Sequence, residues 1–319
     1  MKEADIRPQA LFAVYLELSR RDAERMPHSA FVRVPCPACN ADAPRPAFEK
    51  HGFSFARCGS CDTLYCSPRP TAEMLADFYR DSPSAQFWAR EFFPAVAEVR
   101  RTKLFRPKAE RLRAWLDDRG RPVTSICDVG AGAGVFLEEL GRQFPGVKLS
   151  AIEPSVDLAA QCRAKGFDCL ETTAAHAADW RARFDLVVSL EVLEHVFAPA
   201  AFLADMHALV RPGGTVLATG LGGDGFDILL LGEHSNSVSP PHHLNFLSVA
   251  GFAAAFRRAG FTQVEVTTPG ELDVDIVLQS GRAPRFLQVL GERPGAAAAL
   301  QALLQEHRLS SHVWCFGRS

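Results

Sequence analysis

Four cysteines carry the most specific chemical signal in the chain. Cys36, Cys39, Cys58 and Cys61 form a C-x2-C-x18-C-x2-C pattern, the spacing of a zinc site assembled from two knuckles. Tight turns through Pro37-Ala38 and Gly59-Ser60 each aim two sulfurs at one point, and together they complete a tetrahedral thiolate set. Four protein ligands leave no open position, so the expected role of the ion is structural. A segment this small has little core, and metal binding worth on the order of 10 kcal/mol would hold much of it folded. Cys66 is expected to pack beside the site and His51 to lie in a loop.

A second pattern suits a nucleotide-bearing cofactor. Apolar Val123, Ile126 and Val129 lead through Asp128 into Gly130-Ala131-Gly132-Ala133-Gly134, and Val135, Phe136, Leu137 and Leu140 follow at helical spacing. This reads as strand, glycine loop and helix. Glycines let the backbone turn sharply and approach a ligand, while free amides at the helix start offer donors. Val147 to Ile152 forms a second strand ending at Glu153, whose carboxylate can accept both hydroxyls of a ribose. Taken alone, the loop and the acid also suit a dehydrogenase. A wholly apolar run, Phe184 to Leu190, has the character of a strand buried in a parallel sheet and leads into Glu191-Val192-Leu193-Glu194-His195-Val196. Leu209 to Gly214 is a turn before a further strand, Thr215 to Thr219.

The segments DVGAGAG, AIEPS, FDLVVSLEVLEHV and LVRPGGTVLATG, in that order, resemble the class I S-adenosylmethionine-dependent methyltransferases over residues 122 to about 270. The VLEH and RPGG segments count against a dehydrogenase. The resemblance implies an α/β fold, a Rossmann-like seven-stranded sheet with helices on both faces and an antiparallel last strand, for which Ser311 to Phe316 is suited. It also implies that Gly130, Gly132 and Gly134 face the cofactor with Asp128 orienting their loop. Glu153 would hold the ribose, Leu170 to Thr172 would lie near adenine, and Leu190 and Glu191 near the transferred methyl.

The elements around this centre divide the chain into 1–70, an N-terminal helix and four-cysteine zinc ribbon; 71–121, a helical bridge; and 122–319, the methyltransferase domain. Leu11, Val14, Tyr15 and Leu18 predict the apolar face of the first helix, and Thr71 starts another. Phe87 to Leu116 reads as a long helix interrupted near Pro94 and Pro107. Its run of Arg100, Arg101, Lys103, Arg106, Lys108, Arg111 and Arg113 is expected on a solvated face. Phe87 and Trp88 are lid candidates, with core packing as the commoner fate of such aromatics.

Ligands in open α/β sheets sit beyond the carboxyl ends of the strands. The segment from Thr219 to Phe246 is too long for a plain connection, which marks it as functional. It brings His242 and His243 to the acceptor side, where with His195 they are the candidate general bases. Glu271, Asp273 and Asp275 follow the next strand and are candidates for acceptor hydroxyls or amines. Capping of the helix after them is the alternative.

The 319 residues carry a formal charge of -2 with 47% hydrophobic and 23% charged side chains. Such a chain has a sizeable core and no global field for nucleic acid or anionic lipid. No apolar run reaches a membrane span. With nine cysteines, an odd number, and a polar start, a cytoplasmic location is the default. A ribbon ahead of a methyltransferase domain is similar to an arrangement in bacterial enzymes of deoxysugar and surface-polysaccharide pathways. That resemblance implies a sugar, nucleotide-linked sugar or related small metabolite as acceptor. With only about 50 residues after the sixth strand, in place of the family's large C-terminal domain, oxygen or nitrogen is favoured over carbon. The competing readings are an RNA or protein acceptor recruited by the ribbon, and a catalytically silent scaffold.

Overall fold

A computed structural model describes residues 2–319. The ribbon contributes three antiparallel strands, β1 (Pro44–Lys50), β2 (Phe53–Cys58) and β3 (Leu64–Cys66). The β1–β2 turn is made by His51 and Gly52, both at positive φ.

The main sheet begins with β4 (Ser125–Val129), β5 (Lys148–Ile152), β6 (Asp168–Leu170), β7 (Phe184–Ser189) and β8 (Val210–Leu221). Then β9 (Asn245–Phe246) leaves this sheet and pairs with β3 in the ribbon, before β10 (Gln263–Thr267) and β11 (His312–Arg318) return to it. The seven strands run in the order β10-β11-β8-β7-β4-β5-β6. β4 to β8 are parallel to their neighbours, and β11 is antiparallel to both β8 and β10. The expected antiparallel last strand is therefore present.

Alternation of side chains along each strand builds two apolar layers. Ile126, Leu186, Val188 and Leu217 face the helices that carry Leu112, Leu116, Phe136 and Leu140. Cys127, Val187, Val216 and Ala218 face those carrying Leu203, Met206, Phe252 and Phe256, in one core with Cys36, Cys58 and Tyr65 of the ribbon. The ribbon thus shares the domain's core, and its sheet is completed across the expected module boundary.

The bridge consists of a helix at Ala72–Asp81, capped by Thr71, and a helical path from Pro83 to Asp117. Two π turns widen that path, Trp88–Phe92 and Arg101–Phe105, each just ahead of a proline, Pro94 and Pro107. Proline lacks an amide proton and crowds the carbonyl four residues back, and a wider turn relieves both problems.

The basic run on this path is a solvated face only in part: Lys103 and Arg111 are exposed, while others turn inward. Arg101 and Arg106, joined by Arg142, clasp the fully buried Glu139 at 3.4, 3.1 and 2.6 Å. Lys108 turns inward to Glu191. The first helix departs from its expected face too. It spans Gln9–Arg25 after a separate turn, Glu3–Ile6, and buries Tyr15, Ser19, Asp22 and Ala23, while Val14 is exposed. Asp22 Oδ2 accepts the Ser84 amide, and Ser19 pairs with Ser239, so polar partners on the bridge and on the histidine loop engage this face. No helix among the described residues is long and apolar enough to cross a membrane.

Candidate active site

The glycine loop leaves β4 at the carboxyl edge of the sheet. Gly130, Gly132 and Gly134 all adopt positive φ, at 75°, 56° and 72°, which an L side chain resists. A Cβ on Gly130 would meet Val192 Cγ2 at 2.8 Å, and one on Gly134 would meet Cys162 and Phe167 at 3.1 Å. One on Gly132 would point into open space. That space is bounded by Glu153, whose Oε2 accepts the Gly132 amide at 2.8 Å and whose Oε1 accepts the Ser155 amide at 2.9 Å. Glu153, rather than Asp128, therefore carries the hydrogen bond that orients the loop. Asp128 is 2% exposed and its Oδ1 has no partner. Burial, with the Glu153 charge nearby, pushes its carboxyl up to about 8. An open cradle at Gly132 beside an unpartnered buried carboxyl fits a polar cofactor. Leu170 accepts the Glu153 amide at 3.0 Å, which brings half-buried Thr172, just past β6, to the same edge.

At the end of β7, Leu190 is half-buried and Glu191 adopts φ 54°, a conformation that costs a non-glycine residue about 1 kcal/mol or more. The surroundings hold it there. The Glu191 amide donates to the Thr219 carbonyl at 3.2 Å, and Thr219 Oγ1 donates to Glu191 Oε1 at 2.7 Å. Lys108 Nζ lies 3.0 Å from Oε1 and His312 Nδ1 3.5 Å from Oε2. Burial alone would raise this carboxyl, but Lys108 and His312 hold it well below the usual range. Glu194, one turn on, is driven the other way by burial and by the Glu191 charge, and its buried Oε2 has no partner.

The three histidines separate into two roles. His242 is buried among Tyr15, Phe78 and Tyr79, and its Nε2 pairs with Ser84 Oγ at 2.8 Å. Expected as a base candidate, it is instead engaged in packing. Its carbonyl accepts from His195 Nδ1 at 2.9 Å and from the Tyr79 hydroxyl at 3.0 Å. His243 Nδ1 meets the Ser237 carbonyl at 2.6 Å. Because a carbonyl only accepts, these bonds place the ring proton of both His195 and His243 on Nδ1 and leave Nε2 with a free lone pair. The two rings lie 4.8 Å apart, and ligand atoms of Glu194, His195 and His243 converge within 4.8 Å. Desolvation lowers His195 to about 4 and His243 to about 3.

The expected acceptor carboxylates have other partners. Glu271 is exposed and pairs with Arg111 at 3.6 Å. Buried Asp273 accepts from Ser310 Oγ at 2.6 Å, Gln301 Nε2 at 2.7 Å, and the Ser311 amide and hydroxyl at 2.6 and 3.0 Å. Asp275 accepts the Glu3 amide at 2.7 Å. Neither caps the helix after them, which has no side-chain cap; Asp273 instead anchors the start of β11, and Asp275 the N-terminal turn. Trp88, a lid candidate, stacks on Phe92 at 4.5 Å and packs against Tyr15 at 5.0 Å.

In the ribbon, Sγ of Cys36 and Cys61 are 3.6 Å apart, and those of Cys39 and Cys58 3.5 Å. All four sulfurs lie within 4.8 Å of one another. The edge of a zinc–thiolate tetrahedron is about 3.8 Å, so the cluster fits a zinc ribbon. Fully buried Arg69 ties this module to the catalytic edge, donating to Asn245 Oδ1 at 2.8 Å and to the Phe197 carbonyl at 3.0 Å. Asn245 in turn donates to the carbonyls of Leu193 and Val196. Arg69, Tyr79, Lys108 and His312 carried no motif in the sequence, because each acts on a partner distant in the chain.

Residues 97–266 match the family described as "Methyltransferase domain", more than half of the chain, and the protein belongs to that family. The ubiquinone biosynthesis O-methyltransferase of Methylocella silvestris is 38% identical over 102 residues, covering 30% of this chain and 39% of that protein. That of Pseudomonas paraeruginosa is 33% identical over 108 residues, covering 32% and 47%. The chain thus spans less than half the length of these curated relatives. Among solved structures, the plantazolicin methyltransferase BamL, in complex with a triazolic desmethylPZN analog and SAH, superposes with a TM-score of 0.52 at 12% identity, covering 77% of this chain and 94% of that one.

Proposed function

We propose that the protein transfers a methyl group from S-adenosylmethionine to an oxygen or nitrogen of a small-molecule acceptor. The acceptor class is a sugar, a nucleotide-linked sugar or a related metabolite, following the ribbon-plus-methyltransferase resemblance. One observation carries the reading: a three-glycine cradle with an open face at Gly132 shares a sheet edge with two imidazoles whose Nε2 atoms are free. The name of the curated relatives, O-methyltransferase, supports oxygen as the acceptor atom.

In this reading, the loop amides and Glu153 hold the cofactor, with Asp128, Thr172, Leu190 and Glu191 along its length. S-adenosylmethionine held there would supply a sulfonium-borne methyl, which passes in line to the acceptor lone pair as its bond to sulfur breaks and S-adenosylhomocysteine leaves. Positive charge is lost in that step, so positioning provides much of the rate. His195 Nε2, with Nδ1 pinned to the His242 carbonyl, takes the acceptor proton, and His243 is the second candidate for that role. Four cysteines, Cys36, Cys39, Cys58 and Cys61, hold a structural zinc ion.

Calorimetry with S-adenosylhomocysteine, followed by acceptor screening for its release, tests the proposal. Binding together with release in the presence of a sugar or nucleotide sugar is the expected result. Purified protein that binds neither S-adenosylmethionine nor S-adenosylhomocysteine would overturn it.

A further inference from the structure

Every cation of the basic run but one has a carboxylate within ion-pair reach. Arg101 and Arg106 have Glu139, Lys103 has Asp5, Lys108 has Glu191, Arg111 has Glu271 and Arg113 has Asp117. Arg100 has no such partner among the described residues, and its Nε and Nη1 are withdrawn from solvent without hydrogen-bond acceptors. Its guanidinium instead lies over the rings of Trp88 at 5.6 Å and Phe93 at 5.9 Å. Arg7 lies over Phe12, which packs through Phe92 on the same Trp88; its buried Nε is also unpartnered, although its Nη1 reaches Glu3 at 3.0 Å. Trp88, beneath Arg100, packs on Tyr15 at 5.0 Å, and Tyr15 packs on His242 at 5.2 Å, which places Arg100 on the histidine side of the sheet edge.

A guanidinium with two of its nitrogens kept from water and no counter-ion is costly, and proteins pair such groups. Glu191 does not discharge this one, because Lys108, Thr219 and His312 already engage its carboxylate. Aromatic faces compensate a guanidinium only in part. What is missing is an anion, and the planar fork of a guanidinium matches a carboxylate or a phosphate with two parallel bonds.

We propose that Arg100, with Arg7 beside it, binds an anionic group of the acceptor, a carboxylate or a phosphate. This rests on the methyltransferase reading and narrows its substrate class. An anion held here lies on the histidine side of the sheet edge, so it orients the acceptor toward the imidazoles.

The test uses the full chain saturated with S-adenosylhomocysteine, with benzoate and inorganic phosphate as probes and benzamide as the neutral control. Thermal unfolding and calorimetry read the response. Wild type should bind one of the two anions and not benzamide; benzoate selects a carboxylate-bearing acceptor and phosphate a phosphorylated one. Arg100→Met should weaken the anion at least about tenfold, the worth of a charge-assisted pair. It should also raise the unfolding temperature of the anion-free protein, because it removes an uncompensated charge. Arg111→Gln, at the surface, should change neither. Should Arg100→Met not fold, Arg7→Gln takes its place, with weaker anion binding expected. Failure of both anions to bind wild type, or an Arg100→Met protein that is less stable yet binds the anion unchanged, overturns the proposal. Loss of S-adenosylhomocysteine binding by wild type would instead strike the methyltransferase reading itself.

Discussion

The Tyr79 hydroxyl and His195 Nδ1 lie 2.9 Å apart and share the His242 carbonyl as acceptor. Tyr79 belongs to the bridge and is 38% exposed overall, yet its hydroxyl helps hold the orientation of an imidazole in the methyltransferase domain. Tyr79→Phe removes one member of the triad without changing ring volume. Nitrogen NMR at neutral pH should show Nδ1 of His195 protonated and Nε2 bare in the wild type and in the variant alike, because the His242 carbonyl remains. The stability loss should be about 1 kcal/mol. A mixture of tautomers in the variant would show that the carbonyl does not fix the proton without Tyr79.

Gly132 faces open space, whereas Gly130 packs against Val192. Alanine at either position is strained by positive φ, at a cost of about 1–2 kcal/mol, but only at Gly130 does the new methyl also strike Val192. Gly130→Ala should therefore lose more stability in urea. Gly132→Ala should lose affinity for S-adenosylhomocysteine by about tenfold or more, as a methyl group fills the cradle. Equal affinities in the two variants would remove Gly132 from the cofactor site.

Buried titratable groups give pH dependences of opposite sign. His242 is held well below its ordinary 6.5 by desolvation, so the unfolded chain protonates first as pH falls, and the stability this residue contributes above 6.5 is lost on acidification. The stability advantage of wild type over His242→Gln should accordingly shrink below pH 6.5. Asp128, raised to about 8, behaves in reverse: its contribution is full below 3.8 and is lost as pH rises through 8. Asp128→Asn should gain on wild type over that range, measured by chemical denaturation at pH 5, 7 and 8.

Removing the metal should be felt beyond the ribbon. Metal analysis is expected to give one zinc per chain. Chelation, or Cys58→Ser, should raise amide hydrogen exchange in β3 and also in β9, because Leu64 and Tyr65 pair with Phe246 and Asn245. Exchange confined to residues before Cys66 would separate the ribbon from the histidine loop.

Asp273 accepts four hydrogen bonds in a buried site. Asn in its place turns one acceptor into a donor facing donors, at a cost of about 2–4 kcal/mol. The effect should appear in denaturant midpoint, with S-adenosylhomocysteine affinity intact.

Much of the fold was legible because its signals are local. A strand, three glycines and a helix follow one another in the chain, and the four cysteines fit because their spacing alone sets the knuckles. The basic bridge was not legible for a geometric reason. Each π turn adds a residue to a turn and rotates everything downstream by about 100°, so a straight helical projection from Phe87 assigns Lys108 to solvent when it faces Glu191. The carboxylates after β10 misled in another way. Their types suit an acceptor, but Ser310 and Ser311, distant in sequence, had already taken Asp273. The histidine pair could be assigned only once Ser84 and Ser237, on different elements, had each claimed one ring.

The pairing of β3 with β9 has a consequence for how the chain is made. All four clustered cysteines and three ribbon strands precede residue 67, so the ribbon sheet can form while its outer edge is still open. That edge waits for residues 245–246, on the order of ten seconds of synthesis, and three residues is short enough to make it a poor template for foreign strands. When Asn245 arrives it finds Arg69 and the Leu64–Tyr65 edge already in place. The segment bearing His242 and His243 thus reaches the ribbon edge after that edge has been made, and β11, with His312, completes the main sheet last.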